Sequence, residues 1–125
     1  MIIGVGIDIV DVRRIDALFQ KFGSHFLNKI YTDQEIAFCC ARNSVANSLA
    51  KMYALKEATI KALSDAKGIK WHDMEICHDQ NGKPEVKLRG VALENIQKKA
   101  KTFSIRASVS DEQIYAIAYV LIEGV

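Results

Sequence analysis

Alanine recurs at every fourth position through Ala46, Ala50, Ala54, Ala58 and Ala62. On an α-helix this spacing makes one stripe of small side chains, and such a stripe lets a neighbouring element approach closely. The segment that carries it, about Val45 to Leu63, is the longest helix the sequence predicts, and Asn43-Ser44 supplies its cap.

What precedes this helix has a different period. Ile3, Val5, Ile7 and Ile9 alternate with Gly4, Gly6 and Asp8, the period-two pattern of a strand with one buried apolar face. The other face is bare until it reaches a carboxylate. From Asp11 the spacing turns helical, with Ile15, Leu18 and Phe22 on one side and Arg14 and Lys21 away from it. Thr32 followed by Glu35 reads as a capping box that opens a helix running to about Ala41.

Beyond Gly68, Met74 to His78 and Glu85 to Leu88 flank Asn81-Gly82, which predicts a hairpin. A short amphipathic helix follows over roughly Val91 to Ala100. Phe103, Ile105, Ala107 and Val109 then alternate with polar residues, and a return strand, Ile114 to Ile122, is apolar enough to be central. The expected class is α+β, a small antiparallel sheet with a long central helix.

With 125 residues and no linker or repeat, the chain is expected to form one domain over residues 1–125. The net charge of +2 argues against a nucleic-acid partner, though a local basic patch can still meet an acidic one. Cys39, Cys40 and Cys77 have no metal-ligand spacing and fit a reducing compartment. The apolar N-terminus lacks a basic flank and is interrupted by Asp8, and the run Ile114 to Ile122 is too short to cross a bilayer. Cytoplasm, with no membrane association, is the expected location.

Asp8 is the first candidate for chemistry, because Gly4 and Gly6 clear its face of the strand; the alternative is a cap for the helix near Val12. Glu57 and Lys61, at i,i+4, share a helical face either as a solvated pair or as functional groups. Asp8 with Glu57 would suit Mg²⁺, which takes one or two carboxylates while substrate phosphates and water complete its shell. Lys61, one turn on, could neutralise a phosphate oxygen. Arg13, Arg14 and Lys21 are either solvent-facing charges or a docking patch for an acidic protein. His25, His72 and His78 make no zinc pattern. Neither a Rossmann fingerprint nor a P-loop occurs.

Together these segments resemble the holo-[acyl-carrier-protein] synthase family of phosphopantetheinyl transferases. The likeness begins at Gly6-Ile7-Asp8-Ile9-Val10-Asp11-Val12-Arg13-Arg14-Ile15 and continues through Phe26 to Glu35. It is strongest at Ala50-Lys51-Met52-Tyr53-Ala54-Leu55-Lys56-Glu57-Ala58-Thr59-Ile60-Lys61-Ala62-Leu63 and extends through Trp71, Gly82-Lys83-Pro84 and Ser108-Val109-Ser110. The resemblance implies Mg²⁺ on Asp8 and Glu57, Lys61 on coenzyme A phosphate, and Arg14 with its basic neighbours against the acidic helix of apo acyl carrier protein. It also implies Lys83 and Pro84 beside the nucleotide end of coenzyme A, and a homotrimer with active sites between subunits.

The chain departs from the family pattern in two places. Met52-Tyr53-Ala54-Leu55 stands where Trp-Ala-Ala commonly precedes Lys-Glu-Ala, and Ser110-Asp111 stands where Ser-His is common. Asp111 would repel phosphate unless it turns away, so it is left outside the expected site. The implied reaction moves 4'-phosphopantetheine to a carrier serine, releases adenosine 3',5'-bisphosphate and supports fatty acid biosynthesis. Two other classes remain open: a Mg²⁺-dependent pyrophosphate hydrolase with the same carboxylates, and a non-catalytic protein-binding module.

Overall fold

The computed structural model describes residues 1–125. The chain runs β1 (Ile2–Asp11), α1 (Val12–Phe22), α2 (Ser24–Ile30), α3 (Asp33–Cys40) and α4 (Val45–Leu63). A 3-10 turn (Trp71–Asp73) then leads into β2 (Met74–His78), β3 (Pro84–Leu88), α5 (Gly90–Gln97), β4 (Phe103–Asp111) and β5 (Tyr115–Gly124). The class is α+β. One antiparallel sheet has the order β1-β5-β4, so the apolar C-terminal strand is central as its composition predicts, and β2 and β3 form a separate hairpin.

Helix α4 lies across the main sheet in backbone contact with β1. A Cβ built on Gly6 would stand 1.8 Å from the Ala58 carbonyl oxygen, and one on Gly4 would stand 1.9 Å from that of Ala62. Four helical residues rise about 6 Å, and two strand residues advance about 6.7 Å. Alternate strand positions therefore keep step with every fourth helical one. The alanine stripe and the two glycines are the two halves of a single contact.

This contact overturns the expected facing of β1. The buried side is the one with Gly6 and Val10, while Val5, Ile7 and Ile9 are 53%, 55% and 62% exposed. Beside them on β5, Tyr119 pairs with Ile7 and Ile117 with Ile9, and both are also exposed. Period-two alternation reveals that a strand has two different faces. It does not say that the bulkier face is the inner one when a helix needs the room.

The capping box at Thr32 forms as expected, with Thr32 N donating to Glu35 Oε1 at 2.8 Å. Glu35 does more than cap, because it is buried and its Oε1 lies 2.7 Å from Lys56 Nζ, itself fully buried on α4. Burial pulls the Lys56 pKa down, and the Glu35 carboxylate acts against that pull. Helix α2 was not legible in the sequence. It begins after Gly23, whose φ of 56° turns the chain out of α1, and buries Phe26, Leu27 and Ile30. No helix is long and apolar enough to cross a membrane.

Candidate active site

The close seat of α4 on β1 determines what Asp8 can reach. Gly6 lies over Ala58 and Gly4 over Ala62, so Asp8, two residues further along the same face, points at the preceding turn of α4. Its side chain is only 17% exposed. The alternative role as a helix cap belongs to Asp11, whose Oδ1 accepts from Arg13 N at 2.9 Å. Asp8 is thereby left for other partners.

Lys61 extends from α4 back across the strand. Its Nζ donates to the Ile7 carbonyl at 2.9 Å and lies 3.4 Å from Asp8 Oδ1. Glu57 stands one turn earlier on the same helical face, half-buried. The Tyr53 hydroxyl is held above its usual 10.0 first by burial and then by the negative charges of Glu57 and Asp8, with Arg14 opposing. Both carboxylates thus lie within electrostatic reach of one phenol.

This donor set fits Mg²⁺. No cluster of three or more His, Cys, Asp or Glu side chains forms in the chain, so there is no all-protein cage. A pair of carboxylates beside a lysine instead suits a hard cation that keeps water and substrate phosphate in its shell.

The basic residues of α1 divide. Arg13 folds back on Asp11, Nε at 3.0 Å and a terminal nitrogen at 2.8 Å, which lowers the Asp11 pKa. Arg14 donates to the Tyr53 hydroxyl at 3.1 Å and lies 5.4 Å above its ring. Lys21 Nζ sits 5.3 Å above the ring of Phe22. Tyr53 borders a groove of about 410 Å³ lined by Leu18, Phe22, Ile30 and Trp71, with His25 and Lys29 as its only charged or titratable lining besides Tyr53. In the sequence Tyr53 is marked only as part of the Met52-Tyr53-Ala54-Leu55 departure from the family motif. Its position one turn before Glu57 was the signal that could have assigned it to the site.

Lys83 and Pro84 lie elsewhere. Pro84 opens β3 and borders a cavity of about 310 Å³ with Arg42, Lys51, Met52, Leu55 and His78. Leu55 projects about 160° away from Glu57 around the helix, so this cavity and the carboxylate pair occupy opposite sides of α4. Lys83 is exposed in the loop that Asp79 closes by accepting from the amides of Asn81 and Lys83. Arg42 and Lys51 were not singled out from the sequence, because nothing in their local spacing marks them. Asp111 does turn towards α4: Asn47 Nδ2 donates to its Oδ2 at 3.0 Å, and Lys51 Nζ lies 3.8 Å from Oδ1.

Known proteins share this arrangement of elements. The family description "4'-phosphopantetheinyl transferase superfamily" matches residues 4–120. The chain is 40% identical over 129 residues to the holo-[acyl-carrier-protein] synthase of Sinorhizobium fredii, covering 99% of this chain and 93% of that protein. It superposes on the crystal structure of the holo-[acyl-carrier-protein] synthase of Neisseria meningitidis with a TM-score of 0.84 at 36% identity, covering 98% of this chain and 99% of that one. The Helicobacter pylori synthase, solved in complex with coenzyme A, gives a TM-score of 0.82 at 30% identity over 95% of this chain and 99% of that one. On the match of family, sequence and fold along nearly its whole length, the chain belongs to the holo-[acyl-carrier-protein] synthases of the 4'-phosphopantetheinyl transferase superfamily.

Proposed function

We propose that residues 1–125 form one catalytic domain that transfers 4'-phosphopantetheine from coenzyme A to a serine of apo acyl carrier protein, with Mg²⁺ as cofactor. The observation that carries this reading is Asp8 at the end of the glycine-cleared face of β1, with Lys61 on its carboxylate and Glu57 on the same side of α4. In the reaction a bond forms from the serine oxygen to the β-phosphorus. The bond from that phosphorus to the bridging oxygen breaks, and adenosine 3',5'-bisphosphate leaves. Asp8 and Glu57 would hold Mg²⁺, which when bound neutralises charge on the diphosphate and on the departing group. Lys61 adds a point charge and is freed from Asp8 as phosphate enters. The serine proton passes to water or to a carboxylate of the pair.

The acceptor side is read from charge. Lys29 and His25 line an apolar groove that has no carboxylate in its lining, and Arg14, bonded to its Tyr53, and Lys21, over its Phe22, add positive charge nearby, which suits an acidic carrier helix. Arg13 remains a candidate for the same partner, although part of its charge is spent on Asp11.

We also infer a homotrimer with sites shared between copies. The exposed apolar face of Val5, Ile7, Ile9, Ile117 and Tyr119 favours burial against another copy of the chain. The cavity bordered by Pro84, read as the place for the nucleotide end of coenzyme A, opens on the other side of α4 from Asp8 of the same chain. A neighbouring subunit can supply it. Unpaired cysteines favour the cytoplasm, and carrier activation of this kind serves fatty acid biosynthesis.

Intact-mass spectrometry of apo carrier protein with coenzyme A, with and without Mg²⁺, tests the reading. The expected result is a Mg²⁺-dependent gain of one phosphopantetheine group. Release of adenosine 3',5'-bisphosphate from coenzyme A without carrier would instead identify a hydrolase.

A further inference from the structure

The chemistry above leaves one buried ion pair without a role. Lys56 Nζ meets Glu35 Oε1 at 2.7 Å, the Ile30 carbonyl at 2.8 Å and the Trp71 carbonyl at 3.2 Å. These three partners use all three donors of an ammonium group. Glu35 accepts in addition from Thr32 N at 2.8 Å and Ile76 N at 2.7 Å. Both side chains are wholly buried. Stability alone gives little reason to keep such a pair, because apolar replacement of both partners is often neutral or better. What the pair holds in place is the more informative question.

It holds the groove. Ile30 and Trp71, whose carbonyls Lys56 binds, both line the apolar groove that Tyr53 borders. Trp71 opens a three-residue turn that is also tied by the His72 ring to the Tyr31 carbonyl at 3.0 Å and by Lys70 N to Asp73 Oδ2 at 3.1 Å, while Lys56 is the side chain that grips the Trp71 carbonyl itself. Its ring packs on Tyr53 with centroids 5.4 Å apart, and Tyr53 in turn accepts from Arg14. A chain of contacts thus runs from Glu35 through Lys56 and Trp71 to Tyr53 and Arg14, ending where the carrier is read to dock.

We propose that Glu35 and Lys56 are positioning residues for the acceptor protein: they fix Ile30 and Trp71 as the apolar wall on which the carrier helix seats. The inference rests on the transferase reading above and concerns the carrier, not coenzyme A. Neither residue touches a reacting atom.

The test measures KM for carrier and for coenzyme A, together with kcat, in Glu35→Gln and in the double variant Glu35→Gln/Lys56→Met. Removing both charges avoids stranding either one in the core. The expected result is a rise in carrier KM of about tenfold with coenzyme A KM changed less than twofold. Trp71, the only tryptophan, reports its own release as a red-shifted emission. Folded variants with unchanged carrier KM, or with both KM values raised alike, overturn the proposal. If neither variant folds, Trp71→Leu decides, because a half-buried wall residue can be cut without opening the core: a selective rise in carrier KM supports the proposal and an unchanged value overturns it. A wild-type chain that adds no mass to the carrier defeats the transferase reading itself, and this inference with it.

Discussion

Lys61 Nζ lies 3.4 Å from Asp8 Oδ1 and 2.9 Å from the Ile7 carbonyl, so a helix and a strand 53 residues apart in sequence are joined at the proposed reaction centre. The lysine side chain is about half exposed while Asp8 is largely covered. With its lysine half open to water, a pair of this kind contributes about 1 kcal/mol to stability. Its significance lies in what the two groups can do when a diphosphate arrives.

Lys61→Met is therefore expected to leave the melting temperature nearly unchanged. Turnover should fall about a hundredfold through loss of one positive charge at the phosphates. Thermal unfolding and carrier-modification kinetics on the same preparation check both halves.

Gly6→Ala should be severe. The new Cβ would meet the Ala58 carbonyl oxygen at 1.8 Å, a methyl against helix backbone, with no rotamer to relieve it. A loss of about 3 kcal/mol is expected, at the upper end for overpacking. Gly82→Ala, with open space around it but a φ of 82°, should cost about 1 kcal/mol. Urea unfolding of the two variants separates close approach from backbone strain.

His78 carries a pH signature. Burial against the stacked ring of Phe38, then the charges of Arg42 and Lys51, lower its pKa below 6.5, with Asp79 acting the other way. The unfolded chain binds this proton more readily than the folded one. Stability from this residue is therefore complete above about pH 6.5 and declines as pH falls from there through the lowered folded value. His78→Gln should flatten that part of the stability-pH curve, as measured by unfolding at a series of pH values.

Ile7→Glu should dissociate the proposed assembly. The side chain points outward beside Tyr119, so the fold of one chain has no need of it. Sedimentation velocity is expected to show a monomer with native circular dichroism, and carrier modification should fall with the shared sites.

The candidate site residues are easier to single out in the sequence than the packing around them. Asp8, Glu57 and Lys61 stood out because glycine spacing and helical spacing are local, and so did the capping box at Thr32. The exposed side of β1 is not legible locally because bulk normally faces inward, and only the contact between the alanine stripe and Gly4 and Gly6 reverses that preference. The Glu35–Lys56 pair was hidden because its partners are 21 residues apart, and each residue has an ordinary local explanation, one as a cap and one as a helical lysine. The separation of Pro84 from Asp8 depends on how α4 divides the molecule, which no local pattern records.

The proposed convergence of Asp8 and Glu57 on one divalent cation is tested most directly by titrating Mg²⁺ against the rate of carrier modification in the wild type, Asp8→Asn and Glu57→Gln. Each variant should stay folded, require far more Mg²⁺ for half-maximal rate and turn over at least about a hundredfold more slowly. Variants that keep the wild-type rate and the wild-type Mg²⁺ requirement would contradict a shared ion and the mechanism built upon it.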